Sequence, residues 1–298
     1  AFGIAMGGEW GIGASLALES IPARSRGMVS GLLQSGYPCG YFLGAIAYWV
    51  VFDVLGLGWR AMFVVGVLPA LLVLYLRSKV PESPVWQAGQ VGRQRRSLRD
   101  SMRGQWKRLL YMMLLMMAFN MFSHGSQDMY PTFLRSQLHL QVGAVTVLTM
   151  LLNAGAILGG LSFGAWSERI GRRRAMIVAA LLALPCIPLW THGGSLVLLG
   201  LGAFLIQVMV QGAWGIVPAY LNELSPDDVR GTLPGFAYQL GNLLAASTAT
   251  AQSWLADRSG GNYALVMAGW MAVVAVALAL LAWLGPEVRG TRFGRSHS

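Results

Sequence analysis

Residues 8–27 read GEWGIGASLALESIPARSRG, and residues 212–231 read GAWGIVPAYLNELSPDDVRG. The two stretches align at an offset of 204 residues, and each contains G-x-W-G followed by E-x2-P-x3-R-G. In each copy an apolar run ends, a short loop follows and a new apolar run begins, so the chain contains an internal repeat. Proline and glycine favour a tight loop here, and the glutamate and arginine can pair at the helix ends.

The composition excludes a water-soluble domain. Of the 298 residues, 55% are hydrophobic and 11% are charged, whereas soluble domains contain about 25% charged residues. The same composition excludes a disordered chain and a small disulfide-rich protein. The net charge is +10, but the basic residues collect between apolar runs, as they do in membrane proteins. A membrane protein is therefore favoured over a nucleic-acid-binding one.

Nine stretches are apolar and close to the roughly 20 residues that a membrane-spanning helix requires. They cover residues 1–19, 28–50, 61–77, 107–131, 142–165, 175–191, 196–221, 233–256 and 263–284. Nineteen basic residues lie in alternate loops between these stretches, and three lie in the opposite loops. Because basic loops stay in the cytoplasm, the first set of loops is predicted to be cytoplasmic, together with the C-terminus. The predicted fold class is an all-α polytopic membrane protein.

If the same offset of 204 residues holds for the span at 107–131, the equivalent span of the first repeat begins about 100 residues before residue 1. We therefore expect a whole protein of twelve spans, of which the nine spans here are helices four to twelve. Residues 1–77 are predicted to be part of a first six-helix bundle, 78–106 a basic cytoplasmic linker, and 107–298 the second bundle with a short tail. Two parallel six-helix repeats resemble the plan of the major facilitator superfamily, which binds its substrate between the repeats.

Two loop motifs strengthen that resemblance. PESP at 81–84 follows the sixth span of the full count, and residues 164–173 read GAWSERIGRR, which is similar to the superfamily signature G-x3-D-R-x-G-R-R. Glu168 stands where the signature has aspartate. The resemblance implies that charges at the helix ends serve gating. The candidate gating residues are Glu19, Arg26, Gly164, Glu168, Arg169, Gly171, Arg172, Glu223 and Arg230.

Polar residues are concentrated in the span at 107–131 and just after it. Asn120, His124, Asp128 and Thr132 follow one another at intervals of four, and each such step turns a helix by about 40° beyond one full turn. They therefore form one slanting stripe, in which His124 and Asp128 can face each other. Polar groups are costly in lipid, so the stripe is predicted to line a cavity or to be satisfied between helices.

The stripe resembles a signature of one transporter group. The pattern N-x2-S-H-x-S-Q-D-x3-T matches at all seven fixed positions the seventh helix of the Jen-type lactate/pyruvate:proton symporters, within the carboxylate and sialate:proton symporter branch. The resemblance implies that His124 and Asp128 couple protons, and Glu9 is a further candidate for a proton site or a packing hydrogen bond. The implied substrate-binding residues are Asn120, Ser123, Gln127, Thr132, Gln239 and Asn242.

These observations predict a secondary active transporter that imports a small monocarboxylate of the lactate or pyruvate type with a proton, by alternating access. Its partners are a small organic acid anion, a proton and the lipid bilayer, with no cofactor, metal or nucleic acid. A monomer in a plasma membrane, in particular a bacterial inner membrane, is expected. A carboxylate substrate favours an arginine partner, and no arginine lies in the middle of a span here. The resemblance to the Jen-type symporters implies that this arginine lies just before residue 1.

Three alternatives were weighed against this prediction. A proton symporter of another organic acid, such as sialic or aromatic acid, stays open. A transporter-like sensor without transport also stays open, although such proteins usually carry long soluble extensions. An enzyme is not expected, because Ser123 and Ser126 stand one residue before and two residues after His124 and cannot point at its imidazole on a helix.

Overall fold

The computed structural model describes residues 2–79, 104–227, 229–291 and 293. The PESP motif at 81–84 and nearly all of the predicted linker at 78–106 lie outside these residues. The main α-helices in the described part are α1 (Phe2–Glu19), α2 (Arg26–Trp49), α3 (Trp59–Val65), α4 (Leu68–Lys79), α5 (Trp106–Gln127), α6 (Val142–Ile170), α7 (Arg172–His192), α8 (Leu196–Trp214), α9 (Val217–Leu224), α10 (Leu233–Ala245), α11 (Thr248–Arg258) and α12 (Tyr263–Leu284).

Each of the nine predicted spans coincides with one helix or with two consecutive helices. Five helical stretches in the described residues are long and apolar enough to cross a membrane: Trp106–Gln137, Val142–Ile170, Arg172–His192, Leu196–Leu224 and Tyr263–Leu284. The all-α membrane fold is therefore confirmed. The other four predicted spans are helical, and their assignment as membrane spans stays a prediction.

Three of the spans are interrupted next to a proline. Proline has no N–H group to donate to the carbonyl four residues earlier, so the helix ladder breaks there. Pro69 stands at the start of α4, Pro218 at the start of α9, and Pro131 in the helical turn that follows α5. These interruptions leave the spans in the predicted places but divide them into shorter helices.

Large aromatic side chains fill the centre of the bundle formed by α5 to α12. Phe119, Phe122, Tyr130, Trp190 and Tyr220 are all fully buried. The rings of Tyr130 and Trp190 stack with their centroids 5.5 Å apart. Each such ring removes 150–250 Å² from contact with the surroundings, by a rough general estimate. This core holds α5 and its polar residues in a fixed position.

Glycines bring the N-terminal helices against the larger bundle. α2 packs along α6, and a Cβ atom on Gly31 would lie 2.2 Å from the carbonyl oxygen of Gly160. α1 packs against α10, and a Cβ atom on Gly11 would lie 2.8 Å from the Cα atom of Gly235. Only residues without a side chain allow backbones to approach this closely. The two groups of helices are therefore in tight contact near the loops that carry Arg26, Arg172 and Arg230, a region called the arginine end below.

Candidate functional site

His124 and Asp128 form a hydrogen-bonded pair on α5 and at its C-terminal cap. The Nδ1 atom of His124 lies 3.1 Å from Oδ2 of Asp128, and the two side chains are 39% and 35% exposed. A helix inside the bilayer cannot present such a pair to lipid without a large cost. The side chains of the pair are therefore accessible from an open space beside α5, called the cavity below, and the role of this space in transport stays a prediction.

Two tyrosines of α2 lie beside this space. The hydroxyl oxygens of Tyr37 and Tyr41 are 3.0 Å apart, and both side chains are largely exposed. Asp128 and Tyr238 are both close enough to Tyr37 to act on it electrostatically. Polar groups from α2, α5 and α10 are therefore near one another beside the cavity.

The rest of the predicted stripe turns away from the cavity. Asn120 is buried, and its Nδ2 atom donates to the carbonyl of Met116 on the same helix, at 2.9 Å. Ser123 is also buried, and its hydroxyl accepts hydrogen bonds from Gln127 at 3.0 Å and from Gln211 at 3.1 Å. A step of four residues rotates the helix by about 40°. Over three steps the stripe therefore leaves the face on which it began, and only part of it reaches the cavity.

A second polar contact fixes the buried face of α5 against α8. The amide nitrogen of Gln207 donates to the hydroxyl of Ser126 at 2.9 Å, and the indole nitrogen of Trp214 donates to the carbonyl of Phe119 at 3.0 Å. The carbonyl oxygens of Gln207 and Gln211 are buried and accept no hydrogen bond from any described residue. Gln207, Gln211 and Trp214 therefore lie on one face of α8, and that face packs against α5.

An aromatic cluster lies between the two repeats. Trp10 and Trp214, which occupy equivalent positions in the repeat, both contact Tyr238: Trp10 stacks on it at 4.7 Å, and Trp214 meets it edge to face at 6.0 Å. Tyr238 forms a side-chain hydrogen bond with Asn242 and lies within electrostatic reach of Glu9. Two predicted site residues, Glu9 and Asn242, are therefore neighbours of one tyrosine.

Thr132 and Gln239 are the remaining predicted substrate-binding residues. Thr132 is partly buried in the helical turn after α5, and Gln239 is partly buried on α10, beside Tyr238 in the sequence. The described contacts do not place either side chain against the His124–Asp128 pair. Their roles in substrate binding stay predictions.

The predicted gating charges meet at the arginine end. Arg172 donates through Nε and Nη2 to the two carboxylate oxygens of Glu223, at 3.0 and 3.1 Å, and both side chains are fully buried. Arg172 also pairs with Glu168 at 3.1 Å, and Nη1 of Arg26 lies 3.9 Å from Glu223. Glu223 therefore binds arginines outside its own repeat copy, whereas Arg230 pairs with Asp227.

The repeat in the sequence is also a repeat in the hydrogen bonds. The Nε atom of Arg26 donates to the carbonyl of Leu18 at 3.3 Å, and the Nε atom of Arg230 donates to the carbonyl of Asn222 at 3.1 Å. Each arginine thus reaches back eight residues to the end of the preceding helix. This bond satisfies a carbonyl that the helix end leaves without an intrahelical partner.

The loop between α6 and α7 depends on glycine at two positions, and its role in gating stays a prediction. Gly171 has φ +100°, a backbone conformation that residues with a side chain rarely adopt. A Cβ atom on Gly164 would lie 2.5 Å from the carbonyl of Gly27, so Gly164 is a point of close contact between α2 and α6. Arg169 is exposed, and its carbonyl accepts a hydrogen bond from Arg289.

The segment after α12, residues 286–291 and 293, packs onto the arginine end and was missed by sequence reasoning. The guanidinium carbons of Arg26 and Arg230 lie 3.4 and 3.7 Å from the centroid of the Phe293 ring. Nη1 of Arg26 donates to the carbonyl of Thr291 at 2.5 Å. The carboxylate of Glu287 accepts from the backbone nitrogens of Arg172 and Arg173 at 3.0 and 3.2 Å, which caps α7. One phenylalanine therefore bridges the two arginines that the repeat relates.

A family model and the relatives of similar sequence all describe transporters. Residues 1–108 and 110–289 match the family model described as "Sugar (and other) transporter". A carboxylic acid transporter protein homolog of Saccharomyces cerevisiae is 32% identical over 86% of this chain, which spans 45% of that relative. A probable 4-methylmuconolactone transporter of Cupriavidus pinatubonensis is 29% identical over 97% of this chain and 68% of the relative.

A further relative and a solved structure agree with this family. A cis,cis-muconate transport protein of Acinetobacter baylyi is 28% identical over 84% of this chain, which spans 62% of that relative. The crystallised proton:xylose symporter XylE of the major facilitator superfamily is 19% identical and superposes with a TM-score of 0.73, over 94% of this chain and 68% of that chain. These are transporters, so the prediction that the chain is not an enzyme is confirmed. The chain belongs to the sugar (and other) transporter family and has the fold of the major facilitator superfamily.

Proposed function

We propose that this protein imports a small monocarboxylate, of the lactate or pyruvate type, together with a proton. The observation that carries the proposal is the His124–Asp128 pair, with Nδ1 and Oδ2 3.1 Å apart and both side chains open to the cavity. Histidine changes its charge near neutral pH. Ionisable residues inside a membrane protein typically mark proton or substrate pathways.

The pair can hold one proton and release it in response to the substrate. Without a proton the pair carries one negative charge, from Asp128, and a proton taken up from outside brings the pair to neutrality, so that an organic anion can enter the cavity without meeting that charge. A cavity that holds both the proton and the anion carries less negative charge than one that holds the anion alone, so the cost of enclosing it away from water is lower. Proton and anion are therefore favoured to move together.

Hydrogen-bond donors near the pair suit a carboxylate. Gln127 is partly exposed and is held by Ser123, and the hydroxyls of Tyr37 and Tyr41 lie across the cavity. Ser123 acts in this proposal through Gln127, because its own hydroxyl is occupied within the helix contact. An organic acid as the substrate is supported by relatives that are described as transporters of carboxylic acid, muconate and sialic acid.

Alternating access requires one end of the cavity to be closed while the other is open. The arginine end is closed in this structure by the glycine contacts, the Glu223 charge network and the tail that carries Phe293. We place this end in the cytoplasm, because it carries most of the basic loops. The structure then corresponds to a state closed to the cytoplasm, with a cytoplasmic C-terminus.

A larger unsaturated or aromatic acid is the second candidate. The stacked rings of Trp10 and Tyr238 offer a flat aromatic surface that a saturated three-carbon acid does not need. Relatives are described as transporters of muconate and 4-methylmuconolactone, which supports this alternative. Competition of labelled lactate uptake by unlabelled lactate, benzoate, cis,cis-muconate and sialic acid ranks the substrates directly.

The test is uptake of labelled lactate into cells that express the full-length reading frame, with and without a protonophore. We expect saturable uptake that is faster at acidic external pH and is abolished by the protonophore. Asp128→Asn and His124→Ala are expected to lose proton-coupled uptake. Asp257→Asn, which removes an exposed carboxylate outside the cavity, serves as the matched control. Full proton-coupled uptake in both the Asp128 and the His124 variants would refute the proposed site.

A further inference from the structure

A cavity of about 580 Å³ lies at the arginine end, where the start of α7 meets the end of α12 and the tail. Its lining includes three arginines, Arg173, Arg174 and Arg289, and two apolar side chains, Ile177 and Trp283. Small-molecule sites in proteins typically enclose about 300–1,000 Å³. The cavity is separate from the His124–Asp128 pair. The candidate gating residue Gly171 is part of its lining, but the proposed transport cycle places no ligand there.

The charged wall has a surplus of positive charge. Glu287 is the carboxylate of the cavity, and its oxygens already accept from the backbone nitrogens of Arg172 and Arg173. Arg173 and Arg289 each use one guanidinium nitrogen on backbone carbonyls, of Gly285 and of the end of α6 respectively. A guanidinium carries five N–H donors in a fork that matches phosphate oxygens. Most of these donors therefore stay available to an anion in the cavity.

Arg174 is the most available of the three arginines. Its side chain is exposed, and it makes no hydrogen bond or ion pair with the described part of the chain. It lies beside Arg173 in the first turn of α7, with Ile177 one turn further along the helix. An anion between Arg174 and Arg289 would therefore contact the apolar wall on its other side.

The apolar wall continues along the outside of α12. Trp283 is 60% exposed and stands near the end of the helix, where tryptophan is common at the boundary between lipid and water. Val273, Val276, Leu280 and Leu284 are also exposed and follow at intervals of three or four residues, so they form one row on the helix surface. This row leads from the cavity along a helix that is apolar enough to cross the membrane.

We propose that this cavity binds the phosphate group of an anionic phospholipid whose acyl chains lie along the exposed row of α12. The arginines supply the charge-assisted hydrogen bonds that phosphate requires, and Trp283 and Ile177 contact the upper part of the chains. A soluble phosphate compound would use the arginines and leave the apolar wall without a partner. The bound lipid would also join α7 to the tail segment of Glu287 and Arg289, which leads to Phe293.

The experiment uses delipidated full-length protein in detergent. Its melting temperature and its retained lipid, counted by native mass spectrometry, are measured with phosphatidylglycerol, phosphatidylcholine or glycerol 3-phosphate. We expect phosphatidylglycerol alone to bind and to raise the melting temperature. In Arg174→Gln the half-saturating concentration should rise about tenfold, the usual scale for losing one charge-assisted contact. Arg24→Gln removes an exposed arginine of another loop at the same end and should leave binding unchanged.

Three results would overturn the proposal. The first is equal binding of phosphatidylglycerol by Arg174→Gln and Arg24→Gln, which would mean a diffuse charge effect. The second is an equal response to phosphatidylcholine, which would mean that the negative charge is not recognised. The third is an equal response to glycerol 3-phosphate, which would identify a soluble phosphate compound as the ligand. None of these measurements depends on transport, so their outcome is independent of the proposed substrate.

Discussion

Replacement of Glu223 by glutamine tests the charge network at the arginine end. The carboxylate accepts two hydrogen bonds from Arg172, at 3.0 and 3.1 Å, and both side chains have no exposure to solvent. Glutamine keeps the shape and one acceptor oxygen but removes the negative charge. Removing one partner of a buried ion pair costs about 3–5 kcal/mol, because the other charge stays buried without compensation.

We expect a cost of about 3 kcal/mol, at the lower end of that range, because the amide oxygen of glutamine and the neighbouring Glu168 still accept from Arg172. In proteins of about 150–250 residues, 1 kcal/mol corresponds to about 2–4 °C in melting temperature, and the shift is smaller in larger proteins. The full-length Glu223→Gln protein should therefore melt several degrees below the parent, by at most about 12 °C. Tryptophan fluorescence during heating in detergent measures this shift.

Glu19→Gln is the matched comparison, because Glu19 occupies the equivalent position in the first repeat and is only partly buried. A partly exposed pair contributes at most about 1 kcal/mol, so its shift should be clearly smaller. A double-mutant cycle with Arg172→Met should show coupling, since the second change removes the uncompensated charge. Equal shifts for the two glutamates, or additive effects in the cycle, would refute the assignment of Glu223 as the centre of the network.

Three further predictions concern closure and packing. Phe293→Ala removes two cation–π contacts of about 0.5–1 kcal/mol each, so the arginine end should open more often. A cysteine placed at the buried position Ser30 should then react about tenfold faster with a thiol reagent. Phe293→Trp keeps an aromatic ring at this position and should not change the reaction rate. Gly31→Val should abolish uptake without loss of membrane insertion, because its side chain would collide with an α6 carbonyl only 2.2 Å from the new Cβ atom, whereas Gly36→Ala meets nothing within 4 Å and should transport normally. Ser126→Ala leaves the buried amide of Gln207 on α8 without its acceptor and should lower the free energy of unfolding by about 1–3 kcal/mol. The melting temperature should therefore fall, whereas uptake measured at low temperature should stay unchanged.

The sequence alone is sufficient for the class, the span positions and the repeat. Long apolar runs have no stable position except in lipid or deep in a core, so their length predicts membrane helices whatever their neighbours are. The repeat at 8–27 and 212–231 likewise predicts equivalent loops, and the structure contains the same arginine-to-carbonyl bond in each. These features depend on residues that are close together in the chain.

The sequence predicts less well which side chains from different helices lie close together. The spacing of four along α5 predicts a single polar stripe, but Ser123 and Asn120 are buried while His124 and Asp128 are open to the cavity. The helix faces were predictable, but the neighbour that each face meets was not. Gln211 is what makes one face of α5 a packing surface, and it lies 88 residues from Ser123.

Sequence patterns alone predict a polytopic helical membrane protein with a repeated loop and an ionisable pair in one span. The pairing of Glu223 with Arg172 and Arg26 is visible only in the tertiary structure, and so is the contact of Phe293 in the tail with the arginines of both repeats. Local rules act over three or four residues along a helix. A charge buried between helices instead pairs with the opposite charge that helix packing places close to it, and this partner depends on the positions of all the helices together.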